Sequence, residues 1–146
     1  MRRYGERVKP GIRYRVRPGA YAILFAQGRI LLTRQAAPQP EYQLPGGGID
    51  PGESPLQALH REVLEETGWR IGGLRRIGAY RRFVYMPDYD LWAEKTCRLY
   101  LGRAIRPLAP PLEPHHRAVL LPPRRALECL GSAGDRAVLA RLIRAG

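Results

Sequence analysis

A mixed α/β or α+β fold is predicted by three observations: paired runs with strand periodicity, one strongly signalled helix between them, and two helical segments near the C-terminal end. With 146 residues and 45% hydrophobic content, the chain suffices for one domain that buries roughly 70% of its unfolded surface. Residues 1–17 are read as an N-terminal extension with an edge strand and residues 18–146 as the domain.

In chain order, IRYRVR (12–17) alternates apolar and basic side chains, the period of a half-exposed strand, before Pro18 and Gly19 interrupt it. AYAILFAQ (20–27) and ILLTRQ (30–35) are β-type runs around a turn signal at Gly28, the pattern of a hairpin. AAPQPE (36–41) reads as a loop, and YQLP (42–45) as a short strand leading into three glycines. After the central helix, LRRIGAYRRFVYM (74–86) and LWAEKTCRLYLGRAI (91–105) are long strands split by PDYD. The proline-rich RPLAPPLEP (106–114) connects to a short strand, AVLL (118–121). A helix around PRRALECL (123–130) is expected to stop at Gly131, and a last helix, capped by Asp135, to run through RAVLARLIR (136–144).

The central helix has the fullest signals. Ser54 can cap the first turn, Pro55 sits where a missing N–H does no harm, and Gln57 completes a capping box, while Gly68 suits a left-handed end. The helix is therefore placed at about Pro55 to Thr67. Leu56, Leu59 and Val63 form its packing stripe. On the flank, Glu62, Glu65 and Glu66 share one arc, where like charges repel and raise one another's pKa. A divalent cation would relieve that repulsion. Oxygen donors without Cys or His fit Mg²⁺ better than zinc. Arg61 can pair with Glu65 or reach back to Glu53, and Gly46, Gly47 and Gly48 let backbone approach a metal or phosphate closely.

Charge and composition narrow the classes. Formal net charge is +12, from 25 basic and 13 acidic residues, and the basic residues scatter along the chain. That field attracts phosphate-bearing molecules, whether it reflects a polyanion partner or an arginine-rich base composition. Cys97 and Cys129 are too few for a disulfide framework or zinc knot and read as reduced thiols. AYAILFA (20–26) is too short to span a membrane and lacks a cleavage site, so a soluble, cytoplasmic protein with no membrane partner is expected.

The residues Gly47, Glu53, Arg61, Glu62, Val63, Glu65, Glu66, Gly68 and Trp69 fill every fixed position of G-x5-E-x7-R-E-U-x-E-E-x-G-U, where U is bulky and apolar. This signature, at 47–69, resembles that of the Nudix hydrolases, and the likeness extends over about residues 18–145. Two departures are mild: Trp69 stands where an aliphatic residue is usual, and Tyr42 where tryptophan often precedes LPGG. The resemblance implies an α/β/α sandwich with a mixed central sheet. It also implies hydrolysis of a nucleoside diphosphate linked to a group X, with Mg²⁺ or Mn²⁺ as cofactor.

Carried over by position, the resemblance makes Glu62 and Glu66 the main metal ligands, Glu65 a further one, and the Gly46 carbonyl a backbone ligand. Glu53 would hold Arg61, which orients the glutamates, and Gly46 and Gly47 would approach the substrate. The general base is Glu62 or a distal loop acid, with Glu113 the first candidate and Glu94 the second. His115 and His116 can touch phosphate but read as exposed loop residues, and His60 as structural. Tyr85 resembles a tyrosine of dinucleoside polyphosphate hydrolases, although Tyr80 and Tyr89 lie close by. The compact length favours a (d)NTP or modified nucleotide as substrate. Dinucleoside polyphosphate hydrolysis, RNA 5′-pyrophosphohydrolysis and a non-catalytic nucleotide sensor are the alternatives, with a monomer or homodimer as the assembly. Nucleic acid is the less favoured partner.

Overall fold

The structure is a computed structural model that describes residues 1–36 and 39–146, so the expected loop at 36–41 falls partly outside it. The described residues form eight strands: β1 (Arg2–Gly5), β2 (Arg15–Ala26), β3 (Arg29–Gln35), β4 (Glu41–Gln43), β5 (Gly46–Gly48), β6 (Trp69–Met86), β7 (Leu91–Pro107) and β8 (His116–Leu121). The helices are α1 (Pro55–Thr67), α2 (Pro123–Cys129) and α3 (Ala133–Ala145).

Side-chain alternation along β2 organises the layers. Ala20, Ala22 and Leu24 pack against Leu59 and Val63 of α1 on one face of the sheet. Ile23, with Ile30, Leu32 and Leu99, packs on the opposite face against Ala126 and Leu130 near α2 and Val138 and Leu139 of α3. The sheet runs β1-β6-β7-β2-β3-β4, with β5 added to β2 and β8 to β3. β2 is parallel to β7, while β6 and β7 form a long antiparallel hairpin, so the sheet is mixed and lies between helical layers as expected. Among the described residues no helix is long and apolar enough to cross a membrane.

The expected hairpin forms. Ala26 pairs with Arg29, and the two turn residues, Gln27 (φ 51°) and Gly28 (φ 77°), both take the positive φ that a tight twisted turn demands. Helix α1 also has its predicted bounds, with the reciprocal Ser54–Gln57 box and Gly68 in the left-handed region at φ 75°.

Four local expectations are corrected. Pro18 and Gly19 do not interrupt the first strand, because continuous pairing of Arg15–Phe25 with β7 carries β2 through them. The Pro18 carbonyl accepts from Ile49 N–H on the side where β5 has ended, so the missing proline N–H costs no ladder bond there. The three glycines themselves form a strand, β5, in which Gly46, Gly47 and Gly48 pair with Tyr21, Ala20 and Gly19. Leu56 is 42% exposed and leaves the packing stripe to Ala58, Leu59 and Val63. Helix α2 stops at Leu130, and Gly131 instead permits close approach to β4, where an added Cβ would meet the Glu41 side chain. Ser132, not Asp135, caps α3, because Asp135 turns inward to accept a bond from Tyr80 Oη at 2.6 Å.

Gly68 does two jobs: it ends α1, and its carbonyl accepts from Leu108 N–H at 2.8 Å. A Cβ there would overlap the Ala109 carbonyl oxygen as well as strain the backbone. Gly68→Ala is therefore expected to destabilise the protein by at least about 1–3 kcal/mol in urea unfolding, the range for backbone strain alone; an unchanged midpoint would contradict this packing.

Candidate active site

The cap and glycines fix one end of the site. Arg61 rises from the second turn of α1 and binds Glu53 through both faces of its fork, Nε to Oε2 at 2.7 Å and Nη2 to Oε1 at 2.8 Å. Glu53 also accepts from Asp50 N–H at 2.9 Å. The bidentate arginine and this backbone bond hold the Glu53 pKa down at about 2. From the same guanidinium, Nη1 donates to Glu62 at 3.0 Å and Glu65 at 3.5 Å, while Nη2 donates to the Gly48 carbonyl at 3.2 Å and lies 3.3 Å from Asp50. The arginine thus links β5, the turn before α1 and the helix flank.

Glu66 is in a different setting. It is 8% exposed and accepts from Gly46 N–H at 2.9 Å. Burial raises its pKa to about 8 despite that bond, with the charges of Glu62, Glu113 and Glu65 adding to the rise. Glu62 is also raised, first by desolvation, and Arg61 opposes the shift. At Gly47 the missing side chain leaves room for the Glu62 carboxylate, which a Cβ would displace. At Gly46, φ is 142° and a Cβ would strike the β2 backbone. The contact observed for Gly46 is made by its N–H, on Glu66.

Glu113 is brought to this end by main-chain bonds. The N–H groups of Leu112 and Glu113 donate to the Glu65 carbonyl at 2.8 and 3.0 Å, satisfying a helix carbonyl that has no intrahelical partner. Glu94 is elsewhere, 4.0 Å from Arg81, and does not line the cavity. Tyr85 is also outside it, bonded through its hydroxyl to Asp90 and tilted against Trp92. Tyr21, Tyr80 and Tyr89 line it instead. His60 is exposed. His116 is the residue the sequence undervalued: its Nδ1 lies 2.7 Å from Thr33 Oγ1 and 3.9 Å from Glu66 Oε2, and burial lowers its pKa. Its position opposite Gln35 in the β3–β8 pairing, visible only once the strands are joined, turns it inward.

The cavity that Glu62, Glu66 and His116 border has a volume of about 310 Å³ and runs to Tyr80 and Asp135; Glu53, Arg61, Glu65 and Glu113 lie outside its lining. Among the described residues no group of three or more His, Cys, Asp or Glu side chains is gathered to hold a metal ion. The physical reason is that Arg61 draws Glu62 and Glu65 to itself while Glu66 folds against Gly46. The arginine therefore supplies part of the countercharge that the sequence assigned to a cation. The donors nevertheless fit a hard divalent cation: they are carboxylate oxygens, and buried Glu66 carries a proton affinity that a cation would lower.

A NUDIX domain model matches residues 14–142. The chain belongs to the Nudix family. Among relatives of this Nudix protein, a Bacillus subtilis (strain 168) protein provisionally named an 8-oxo-dGTP diphosphatase is 36% identical over 74 residues, 51% of this chain and 50% of that protein. The RNA pyrophosphohydrolase of Pectobacterium atrosepticum is 41% identical over 58 residues, 40% of this chain and 32% of that protein. The aligned stretches span half or less of these relatives' own lengths. In fold, the MutT protein of Bacillus halodurans is similar at TM-score 0.70 and 19% identity, over 85% of this chain and 80% of that one. The MutT protein of Methanosarcina mazei Go1 is similar at TM-score 0.68 and 21% identity, over 92% and 97%.

A carboxyl with a native pKa above its unfolded value keeps its proton in the fold where the unfolded chain has lost it, so stability falls as pH rises through that interval. For Glu66 the interval runs from 4.5 to about 8. In EDTA the melting temperature is expected to decline across it, and Glu66→Gln to flatten the decline. The difference between the two profiles separates Glu66 from His116, whose lowered pKa acts in the opposite sense. Parallel profiles would sink the assignment.

Proposed function

We propose that this Nudix protein is a metal-dependent hydrolase that cleaves a pyrophosphate bond in a nucleoside diphosphate linked to X, with a (d)NTP or modified nucleotide as the substrate class. The observation that carries the reading is the meeting of Glu62 and Glu66 with Gly47 and Gly46 at one end of a nucleotide-sized cavity. Glu62, Glu65 and Glu66, with the Gly46 carbonyl, would hold Mg²⁺ or Mn²⁺. Bound there, the ion supplies charge neutralisation on the phosphates and a lowered pKa for ligated water.

The other steps fall to the chain itself. Arg61, fixed by Glu53, orients Glu62 and Glu65. Glu62 or Glu113 accepts a proton from the water that attacks phosphorus, as the P–O anhydride bond breaks and the leaving phosphate departs with its electron pair. Gly46 and Gly47 allow the anhydride close to the backbone. A cytoplasmic location agrees with the two unpaired thiols, Cys97 and Cys129. Provisional naming of the Bacillus subtilis relative as an 8-oxo-dGTP diphosphatase supports the nucleotide class.

Incubation with dNTPs, oxidised dNTPs, NDP-sugars, dinucleoside polyphosphates and triphosphorylated RNA is expected to release phosphate or pyrophosphate from at least one, in Mg²⁺ and not in EDTA. Glu62→Gln and Glu66→Gln should each lower kcat by about 10²-fold or more. Full turnover in both variants would refute these roles, and binding without any turnover would favour the sensor reading.

The clamp on Arg61 gives a separate expectation. Glu53→Gln keeps the shape but removes the charge that holds the guanidinium, so kcat should fall while melting in EDTA changes little; unaltered kcat would show that Arg61 needs no such anchor.

A further inference from the structure

Three cations meet at the other end of the cavity. Arg17 on β2 is directly opposite Lys95 on β7, and Lys95 is directly opposite Arg82 on β6. All three line the same cavity as Glu62 and Glu66. Like charges placed opposite one another in a sheet repel. Burial, and then the charge of Arg82, lowers the Lys95 pKa.

Among the described residues none of the three makes an ion pair. Asp135 and Glu41 lie within reach of the cations' fields without forming a bridge, and Asp135 is already bonded to Tyr80. Arg17 stands 5.1 Å from the centre of the Tyr89 ring, a contact that positions its guanidinium without neutralising it. Uncompensated like charges aligned inside a cavity cost stability, and that cost is the mark of a binding function.

The register sets the spacing. Arg17 is four residues before Tyr21, which pairs with Gly46, the donor to Glu66. At ~3.3 Å per residue, the cation row lies about 13 Å along β2 from the carboxylate end. An uncharged base does not call for three cations at that distance, whereas a second anionic group does. Resting on the hydrolase reading above, we propose that Arg17, Lys95 and Arg82 bind a second phosphate of the substrate, carried on or beyond the ribose whose 5′-diphosphate lies against Glu62 and Glu66. A 3′-phosphate monoester and the first phosphodiester of an RNA 5′ end share this chemistry.

The test compares ATP with 3′-phosphoadenosine 5′-triphosphate and with a 5′-triphosphorylated dinucleotide, in Mg²⁺. At least one phosphate-bearing substrate is expected to show a kcat/KM advantage of about tenfold or more over ATP, expressed in KM. Whichever shows it identifies the source. Lys95→Gln and Arg82→Gln should erase the advantage, with Arg17→Gln as the substitute if either fails to fold. Arg124→Gln, an exposed charge on α2 outside the cavity, should retain it. No advantage in the wild type, or one that survives in the cavity variants, overturns the proposal. If none of these three is turned over, the wider substrate panel decides the hydrolase reading and calorimetry in EDTA decides the cation row alone. Adenosine 3′,5′-bisphosphate should then bind more tightly than AMP, and Lys95→Gln should abolish the difference; equal affinities overturn the proposal here too.

Discussion

One guanidinium allows this helix to carry its acids. Arg61 engages Glu53, Glu62 and Glu65, approaches Asp50, and reaches the Gly48 carbonyl, so a single side chain ties β5 and the α1 flank into one unit. It also separates the carboxyls by kind. Glu53, gripped on both oxygens, stays ionised far into acid, whereas Glu66, out of the arginine's reach and buried, favours its proton near neutrality. Burial and pairing have opposite effects on groups of the same chemistry, and the two lie on the turn before α1 and on its last turn.

Strand β2 provides the scale on which these groups are set out. It pairs with β7 along nearly its whole length, receives β5 near its middle, and turns into β3 at its end. Its apolar alternate residues seat α1 on one face and the α2–α3 layer on the other. The cavity follows from that arrangement, because Arg17, Gly19 and Tyr21 point to the same side at successive steps along the strand. Arg17, on β2, and Gly46 and Gly47, paired to β2, are therefore spaced by strand register instead of loop conformation.

What the sequence revealed was local, and what it hid depends on distant partners. Ser54, Gln57 and Gly68 act within a few residues of one another, which is why α1 could be bounded from composition alone. The same holds for the Gln27–Gly28 turn. Of the motif's acids, Glu53, Glu62 and Glu65 gather on Arg61, which took a share of the countercharge expected from a metal, while Glu66 turns to Gly46 N–H. By contrast, the continuity of β2 through Pro18 is imposed by β7, with Arg15 pairing Ala93, 78 residues along the chain, a pairing no local signal reports. Asp135 looked like a cap because its chemistry suits one, but Tyr80 on β6 competes for its carboxylate and Ser132 takes the cap. His116 and the choice between Tyr80 and Tyr85 likewise depended on which face of a strand each residue occupies.

The main-chain bonds from Leu108, Leu112 and Glu113 to the carbonyls of Gly68 and Glu65 join the connection after β7 to the last turn of α1. Those amides and the helix end consequently share one opening event: the connection cannot lift without exposing carbonyls that the helix itself leaves unmatched. Evolution can lengthen the chain between the anchored residues far more readily than it can move the anchors, so variation among related chains should collect in the intervening prolines and spare the two points of attachment.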